Sequence, residues 1–113
     1  TIAKMDESYF SNIEILKGDL IFYHSCSSFA AVKILKNGFK GHLENLHGTI
    51  QNSELFDSPE AIVFASEEIQ KNYGNTILEI RCEKAIKALH TEYNSVEILI
   101  ELSDILEVSE YCN

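Results

Sequence analysis

The stretch that most constrains the fold is the apolar run Leu20–His24, which ends on a histidine and leads almost at once into a second element. An apolar run of this length bounded by polar residues is typical of a buried strand. Ser27 and Ser28 then offer hydroxyl groups that can cap a helix, and Gly38 suits the left-handed residue that ends one. The sequence therefore predicts a strand, a tight connection and a helix over Ser28–Asn37.

The predicted helix carries apolar side chains that we assign to its core-facing side. Two of them, Val32 and Leu35, should be buried, so that Leu35→Ala should cost roughly 2–5 kcal/mol of stability. The side chains assigned to the core are Phe29, Val32, Ile34 and Leu35. Lys33 and Lys36 are left for the solvent-facing side.

Most of the remaining pattern indicates strands, and two segments stay open. Ser8–Leu16 is compatible with a short helix or an irregular packing segment, and Glu83–Leu89 with a short helix or an edge strand. Ser66 is placed to cap a short helix over Glu67–Tyr73, whose acidic first turn suits the helix dipole. The predicted strands are Ala61–Ala65, Thr76–Arg81, Val96–Leu102 and Ile105–Val108. Together the elements predict an α+β fold of two small antiparallel sheets packed over a shared core.

The segment Phe39–Glu60 is the least regular part of the chain. A loop this long in a small domain is commonly a lid or binding loop, although a disordered excursion fits the pattern equally. Several leucines within it favour a partly ordered flap. His42 and His47 lie in the same segment, but a spacing of five suits neither one helix face nor a common zinc pattern. We expect no metal site.

Composition limits the kinds of partner that the chain can bind. Its 113 residues fit one domain, and 18 acidic against 9 basic side chains give a net charge of −9. This negative field disfavours nonspecific binding to nucleic-acid phosphates. No apolar run approaches the ~20 residues that cross a bilayer. Three cysteines without close spacing indicate free thiols, and no signal-peptide pattern is evident, so we expect a cytoplasmic protein.

Three short motifs occur in order along most of the chain. In the first, Phe22–His24 ends a strand, and a glycine follows fourteen residues after the histidine. The second is the strand Ile62–Ser66, with Tyr73 downstream of it. The third is Glu97–Ile100, a glutamate that opens an apolar strand. This pattern resembles the histidine–tyrosine–glutamate branch of the ADP-ribosyltransferases, which includes diphtheria toxin and the poly(ADP-ribose) polymerases.

The resemblance implies a split β-sheet core and an enzyme that transfers ADP-ribose from NAD to a protein target and releases nicotinamide. It implies Glu97 and His24 as catalytic residues. A carboxylate near the ribose stabilises the positive charge that develops as the nicotinamide–ribose bond breaks, and a histidine of fixed tautomer can hydrogen-bond the ribose. The NAD contacts that it implies are those of Tyr23, His24, Ser25, Phe64, Ser66 and Tyr73. Tyr73 is the ring expected to stack on nicotinamide. The small size fits a toxin- or effector-type enzyme.

Three positions depart from the family pattern. Ser25 stands where the family has a glycine, and Val63 stands where it has the tyrosine of the second motif. Ser95, two residues before the glutamate, excludes the paired carboxylates of the arginine-modifying members, so the target amino acid does not carry over. Two alternatives stay open. One is a noncatalytic module of this fold that contacts a protein through its acidic surface, and the other is an enzyme that only hydrolyses NAD.

Overall fold

The computed structural model describes residues 10–39, 62–90 and 93–112, which contain five strands and one α-helix. In chain order the elements are β1 (Phe10–Cys26), α1 (Ser28–Asn37), β2 (Ile62–Ala65), β3 (Thr76–His90), β4 (Ser95–Glu101) and β5 (Ile105–Glu110), with a 3₁₀ turn at Leu102–Asp104. Every pairing between these strands is antiparallel. The predicted α+β fold, dominated by antiparallel strands, is confirmed.

Some of the sequence predictions lie outside the described residues. Only Phe39 of the expected flap Phe39–Glu60 is described, and His42 and His47 fall in the part that is not. Among the described residues, no helix is long and apolar enough to cross a membrane. Within the same three stretches, no group of three or more His, Cys, Asp or Glu side chains is arranged to hold a metal ion.

The described strands form one hydrogen-bonded sheet, where the sequence predicted two. The strand order is β1-β3-β4-β2, and β5 also pairs with β3. The long strands β1 and β3 pair along nearly their whole lengths. Leu20–Cys26 of β1 pairs with the first half of β3, and Phe10–Lys17 pairs with its second half. Register shifts interrupt these pairings near Gly18 and after Arg81. Since such irregularities bend a strand, β1 and β3 can pass from one layer to the next without ending.

An interior cluster shows that the sheet folds over itself. Phe22 and Ile80, from the half of the sheet that carries β5, belong to the same buried cluster as Ile98 and Ile100 of β4. Burying a side chain of this size stabilises the fold by about 1.5–3 kcal/mol. A second cluster lies on the opposite face of β4 and consists of Phe10, Ile62, Ile86, Ala88 and Leu99.

The end of β2 returns to β1, and this contact positions most of the predicted site. The Tyr23 N–H donates to the Ser66 carbonyl at 2.9 Å, and the Ser66 N–H donates to the Tyr23 carbonyl at 2.8 Å. One residue earlier, Ala65 pairs with Ile98 of β4. We call Tyr23–Ser25 together with Phe64–Ser66 the β1–β2 junction. At the junction β2 lies between β1 and β4, so the main chains of these two strands are about 10 Å apart, or two strand spacings.

Helix α1 has the predicted ends but not the predicted orientation. Ser27 Oγ accepts a hydrogen bond from the Ala30 N–H at 3.1 Å, and the Gly38 N–H donates to the Ile34 carbonyl at 2.7 Å with a φ of 82°. These caps confirm the bounds Ser28–Asn37. The predicted burial is wrong, because the exposed fractions of the large side chains are 70% for Phe29, 65% for Val32 and 43% for Leu35.

Small residues make the helix contact instead. Ala31 is buried in a cluster with Cys26 and Leu78, and Ala30 and Ile34 pack partly against it. Ala30, Ala31 and Ile34 therefore form the sheet-facing side of the helix, and Phe29, Val32 and Leu35 lie outside it. The stability lost in Leu35→Ala is therefore expected to be about 0.5 kcal/mol or less, as for other surface positions.

The described parts of the two open segments are strands. Phe10–Leu16 opens β1, Ser8 and Tyr9 lie outside the described residues, and Glu83–Leu89 lies inside β3. Asn12 has a φ of 52°, and the register with β3 shifts beside it. This irregularity places Phe10 and Ile13 in the same cluster although they are three residues apart. A bulged strand thus produced the spacing that suggested a helix.

Candidate functional site

His24 lies at the β1–β2 junction, and the main chain of β2 holds its ring. The Nδ1 atom is 2.8 Å from the carbonyl oxygen of Phe64. Since a carbonyl oxygen only accepts hydrogen bonds, Nδ1 carries the proton, and Nε2 is the acceptor nitrogen of the neutral ring. Phe39 contacts the same ring edge-on, with the ring centroids 5.1 Å apart. The structure therefore gives His24 one orientation and one tautomer.

Ser25, which stands where the family that the sequence resembles has glycine, ties a later segment to β1. Its buried Oγ accepts a hydrogen bond from the Tyr73 N–H at 3.1 Å. The bond fixes the backbone of Tyr73 beside the junction and leaves the Tyr73 side chain 83% exposed. The exposed ring is available for stacking. Because successive side chains of a strand alternate, the Ser25 side chain that anchors Tyr73 lies on the opposite face of β1 from His24.

The predicted helix Glu67–Tyr73 is absent, and tertiary contacts hold this segment in an irregular path. The Ser66 hydroxyl donates to the Glu68 carbonyl at 2.8 Å instead of accepting helical N–H groups. Lys87 of β3 forms a 3.0 Å salt bridge with Glu67. A helix of this length is marginal without packing support, so these contacts and the Tyr73–Ser25 bond decide the conformation.

Gly74 is a site-forming residue that the sequence analysis did not single out. It has a φ of 153°, and a Cβ at this position would lie 2.2 Å from the Cys26 carbonyl carbon and oxygen and 2.6 Å from the Ser27 nitrogen. Only glycine allows the chain to cross the end of β1 this closely. The turn signal around Gly74 was visible in the sequence, but a local pattern does not reveal which strand the turn crosses.

The other predicted NAD-contacting residues at the junction are engaged mainly in packing. The Tyr23 ring contacts Tyr111 edge-on, with centroids 5.6 Å apart. Phe64 packs against the cluster that contains Leu99 and offers its carbonyl to His24. Ser66 pairs with Tyr23 through the main chain. The junction thus brings together Tyr23, His24, Ser25, Phe64, Ser66 and Tyr73.

Glu97 lies on β4 in a partly buried setting. The Ser95 hydroxyl donates to Glu97 Oε1 at 3.1 Å. Burial raises the pKa of Glu97 above its ordinary value of 4.5, while the Ser95 hydrogen bond and the nearby His90 act in the opposite direction. A partly desolvated carboxylate interacts with adjacent positive charge more strongly than one in bulk water.

Side-chain alternation separates Glu97 from His24. Ile98, next to Glu97, belongs to the same interior cluster as Phe22, which lies two residues before His24. Successive side chains of a strand point to opposite faces, so His24 points toward this interior and Glu97 away from it. The β1–β2 junction brings the main chains of β1 and β4 near each other but not the side chains of His24 and Glu97. A single ligand can contact both side chains only if it passes around the end of β2, from one face of the sheet to the other.

A second histidine, His90, lies on the Glu97 side of the sheet and was missed by the sequence analysis. It pairs with Ser95 across β3 and β4. Its ring contacts Phe10 edge-on at a centroid distance of 5.1 Å and lies 4.7 Å from the Tyr93 ring. Its position beside Glu97 follows from strand register, which no local motif in the sequence encodes.

Comparison with known proteins assigns no family to this geometry. No protein-family model matches the chain, and no curated protein or solved structure matches it. Function is therefore inferred from the residues of the junction and of β4.

The raised pKa of Glu97 predicts a specific pH dependence of stability. Because the folded-state pKa lies above the unfolded value, the folded protein binds more protons in the interval between them, and its stability falls as pH rises through that interval. Glu97→Gln removes this pH-dependent loss of stability, because glutamine does not ionise. The free energy of unfolding of the variant, relative to wild type, should therefore increase with pH above about 4.5 and level off past the raised pKa.

Urea unfolding from about pH 4 to about pH 7 measures this difference directly. Glu107→Gln on β5 is the control, because it removes one negative charge from an exposed position. A pH dependence shared by the two variants arises from net charge and contradicts the role assigned to burial of Glu97.

Proposed function

We propose that this protein binds NAD at the β1–β2 junction and transfers ADP-ribose to a protein target. The observation that carries the proposal is the 2.8 Å bond between His24 Nδ1 and the Phe64 carbonyl. This bond fixes the orientation of the ring at the junction and places a proton on Nδ1, and we propose that the ring so held contacts a ribose of NAD. A histidine prepared in this way at a strand junction suits sugar binding better than a purely structural role at the surface.

The neighbouring residues fit the remaining parts of NAD. The exposed ring of Tyr73, fixed through its backbone to Ser25, supplies a flat surface for nicotinamide. Glu97 supplies a carboxylate from β4, whose main chain is about two strand spacings from that of β1. An extended dinucleotide that passes around the end of β2 is long enough to span the distance between β1 and β4.

The reaction proposed is a substitution at the anomeric carbon of the nicotinamide-bearing ribose. The bond from this carbon to the nicotinamide nitrogen breaks, and nicotinamide leaves with the bonding electron pair. A nucleophilic atom of the target forms the new bond to the same carbon and loses its proton. Between these events the ribose carries positive charge, which the carboxylate of Glu97 stabilises.

Calorimetric titration with NAD tests the binding step. His24→Phe keeps a ring against Phe39 but removes the nitrogen atoms, and NAD affinity should fall about tenfold, the equivalent of one good hydrogen bond. His90→Phe is the matched control and should keep wild-type affinity. Absence of NAD binding to wild type at millimolar concentration, or equal affinity of the two variants, contradicts the proposed role of His24.

A noncatalytic binding module is the second candidate, and two observations favour it. Val63, which stands where the enzymes that the sequence resembles have a tyrosine, is fully buried among Ile98 and Ile100. Glu97 points away from the interior that His24 faces. Under this alternative the fold serves as a scaffold for protein contact, and neither Glu97 nor His24 affects its activity.

A further inference from the structure

Helix α1 turns its largest apolar side chains to the solvent. Phe29, Val32 and Leu35 are exposed and recur every three residues, so they form a stripe along the helix, which we call the α1 stripe. The contact with the sheet is made by Ala30, Ala31 and Ile34. Single exposed apolar residues are ordinary, but an aligned row that includes an aromatic ring indicates an interaction surface.

The charged side chains of helix α1 itself are lysines, opposite in sign to the net charge of the protein. The Lys33 Nζ lies 4.4 Å from the centroid of the Phe29 ring, and Lys36 occupies the last turn of the helix. No acidic residue occurs in the sequence between Asp19 and Glu44, although the chain has a net charge of −9. The stripe is therefore an apolar surface with a basic border on an acidic protein.

We propose that the α1 stripe binds a partner protein through an amphipathic helix whose apolar face is bordered by Asp and Glu. The apolar face covers Phe29, Val32 and Leu35, and the carboxylates pair with Lys33 and Lys36 at the rim. Aromatic side chains are favoured anchors in such interfaces, and the flanking charges select the partner and its orientation.

Charge favours this occupant over a second copy of the chain or a membrane. A symmetric contact between two α1 stripes brings Lys33 and Lys36 of both copies into one interface, where their like charges repel. An anionic lipid surface attracts two lysines but repels the remaining acidic surface.

The test uses the whole protein and two synthetic helical peptides that share a leucine stripe. One peptide has glutamates beside the stripe and the other has lysines at the same positions. Fluorescence anisotropy should show binding of the glutamate peptide, with Phe29→Ala weakening it about tenfold or more. Lys33→Glu combined with Lys36→Glu should reverse the preference between the two peptides.

Ile15→Ala is the matched control, since Ile15 is an equally apolar, exposed residue in the first part of β1. It should leave peptide affinity unchanged, and circular dichroism should show that all variants fold. Failure of the glutamate peptide to bind, equal binding of the lysine peptide, or equal effects of Phe29→Ala and Ile15→Ala would overturn the proposal. So would sedimentation data in which Phe29→Ala abolishes a dimer, because the occupant would then be a second copy.

Discussion

Glu97→Gln is expected to lower ADP-ribosyl transfer by about 10²–10³-fold while NAD affinity and folding stay nearly unchanged. Glutamine has almost the same shape as glutamate, and its amide oxygen can still accept the 3.1 Å hydrogen bond from Ser95. What it lacks is the negative charge. That charge matters most when the ribose becomes cationic, so the loss appears in the transition state and corresponds to roughly 3–4 kcal/mol of barrier.

The measurement is single-turnover transfer of labelled ADP-ribose to the target at saturating NAD. Glu107→Gln, which removes an equal charge from exposed β5, should keep wild-type turnover. Wild-type turnover by Glu97→Gln would exclude Glu97 as the catalytic carboxylate. That outcome would also fit the orientation of Glu97 away from the interior that His24 faces.

Gly74→Ala should be among the most destabilising single changes in the described part of the chain. The added Cβ would meet the Cys26 carbonyl group at 2.2 Å, and the φ of 153° is strained for any residue with a side chain. Backbone strain of this kind costs about 1–3 kcal/mol, and a clash with main-chain atoms adds a similar amount. The variant must also move Tyr73 away from Ser25, so the surface offered for stacking changes with it.

Gly18→Ala separates the cost of backbone strain from the cost of the clash with main-chain atoms. Gly18 has a φ of 132°, and no described atom lies within 4 Å of the position that its Cβ would take. Urea unfolding should show that Gly74→Ala loses at least about 2 kcal/mol more than Gly18→Ala. Hydrogen exchange at the Tyr73 amide should accelerate in Gly74→Ala alone. Equal stabilities of the two variants would mean that the chain crosses β1 less closely than the structure indicates.

The sequence predicted the elements whose signals are local. The N-cap at Ser27 and the glycine at Gly38 located helix α1 correctly, because caps act within one helical turn. The predicted strand at Leu20–His24 was confirmed as part of β1, and the one at Val96–Leu102 was confirmed as part of β4 up to Glu101, with Leu102 in the 3₁₀ turn that follows.

Predictions that depended on distant contacts did worse. The orientation of α1 was wrong because the cluster around Leu78 accepts alanine rather than leucine, and nothing within the helix reveals that. The helix over Glu67–Tyr73 was wrong because a bond to Ser25, distant in sequence, decides the conformation. Strand register likewise determines which face Glu97 occupies, and register is not visible in a motif.

The same distinction between local signals and distant contacts applies to the candidate site. Its residue types could be predicted, since a histidine at a strand end and a glutamate at a strand start are local features. The tautomer of His24 could not, because it depends on the carbonyl of Phe64 in another strand. Nor could the contribution of Gly74, which depends on the chain segment that it crosses.

The most direct test of the proposed function is nicotinamide release from NAD by the purified protein, measured with and without candidate target proteins. ADP-ribosyl transfer predicts release that increases when the target is present, together with ADP-ribose bound covalently to that target. Release at an equal rate without any target would indicate hydrolysis of NAD alone. If folded wild-type protein released no nicotinamide with any target, the result would contradict the enzymatic proposal. The noncatalytic binding module would then be the remaining candidate.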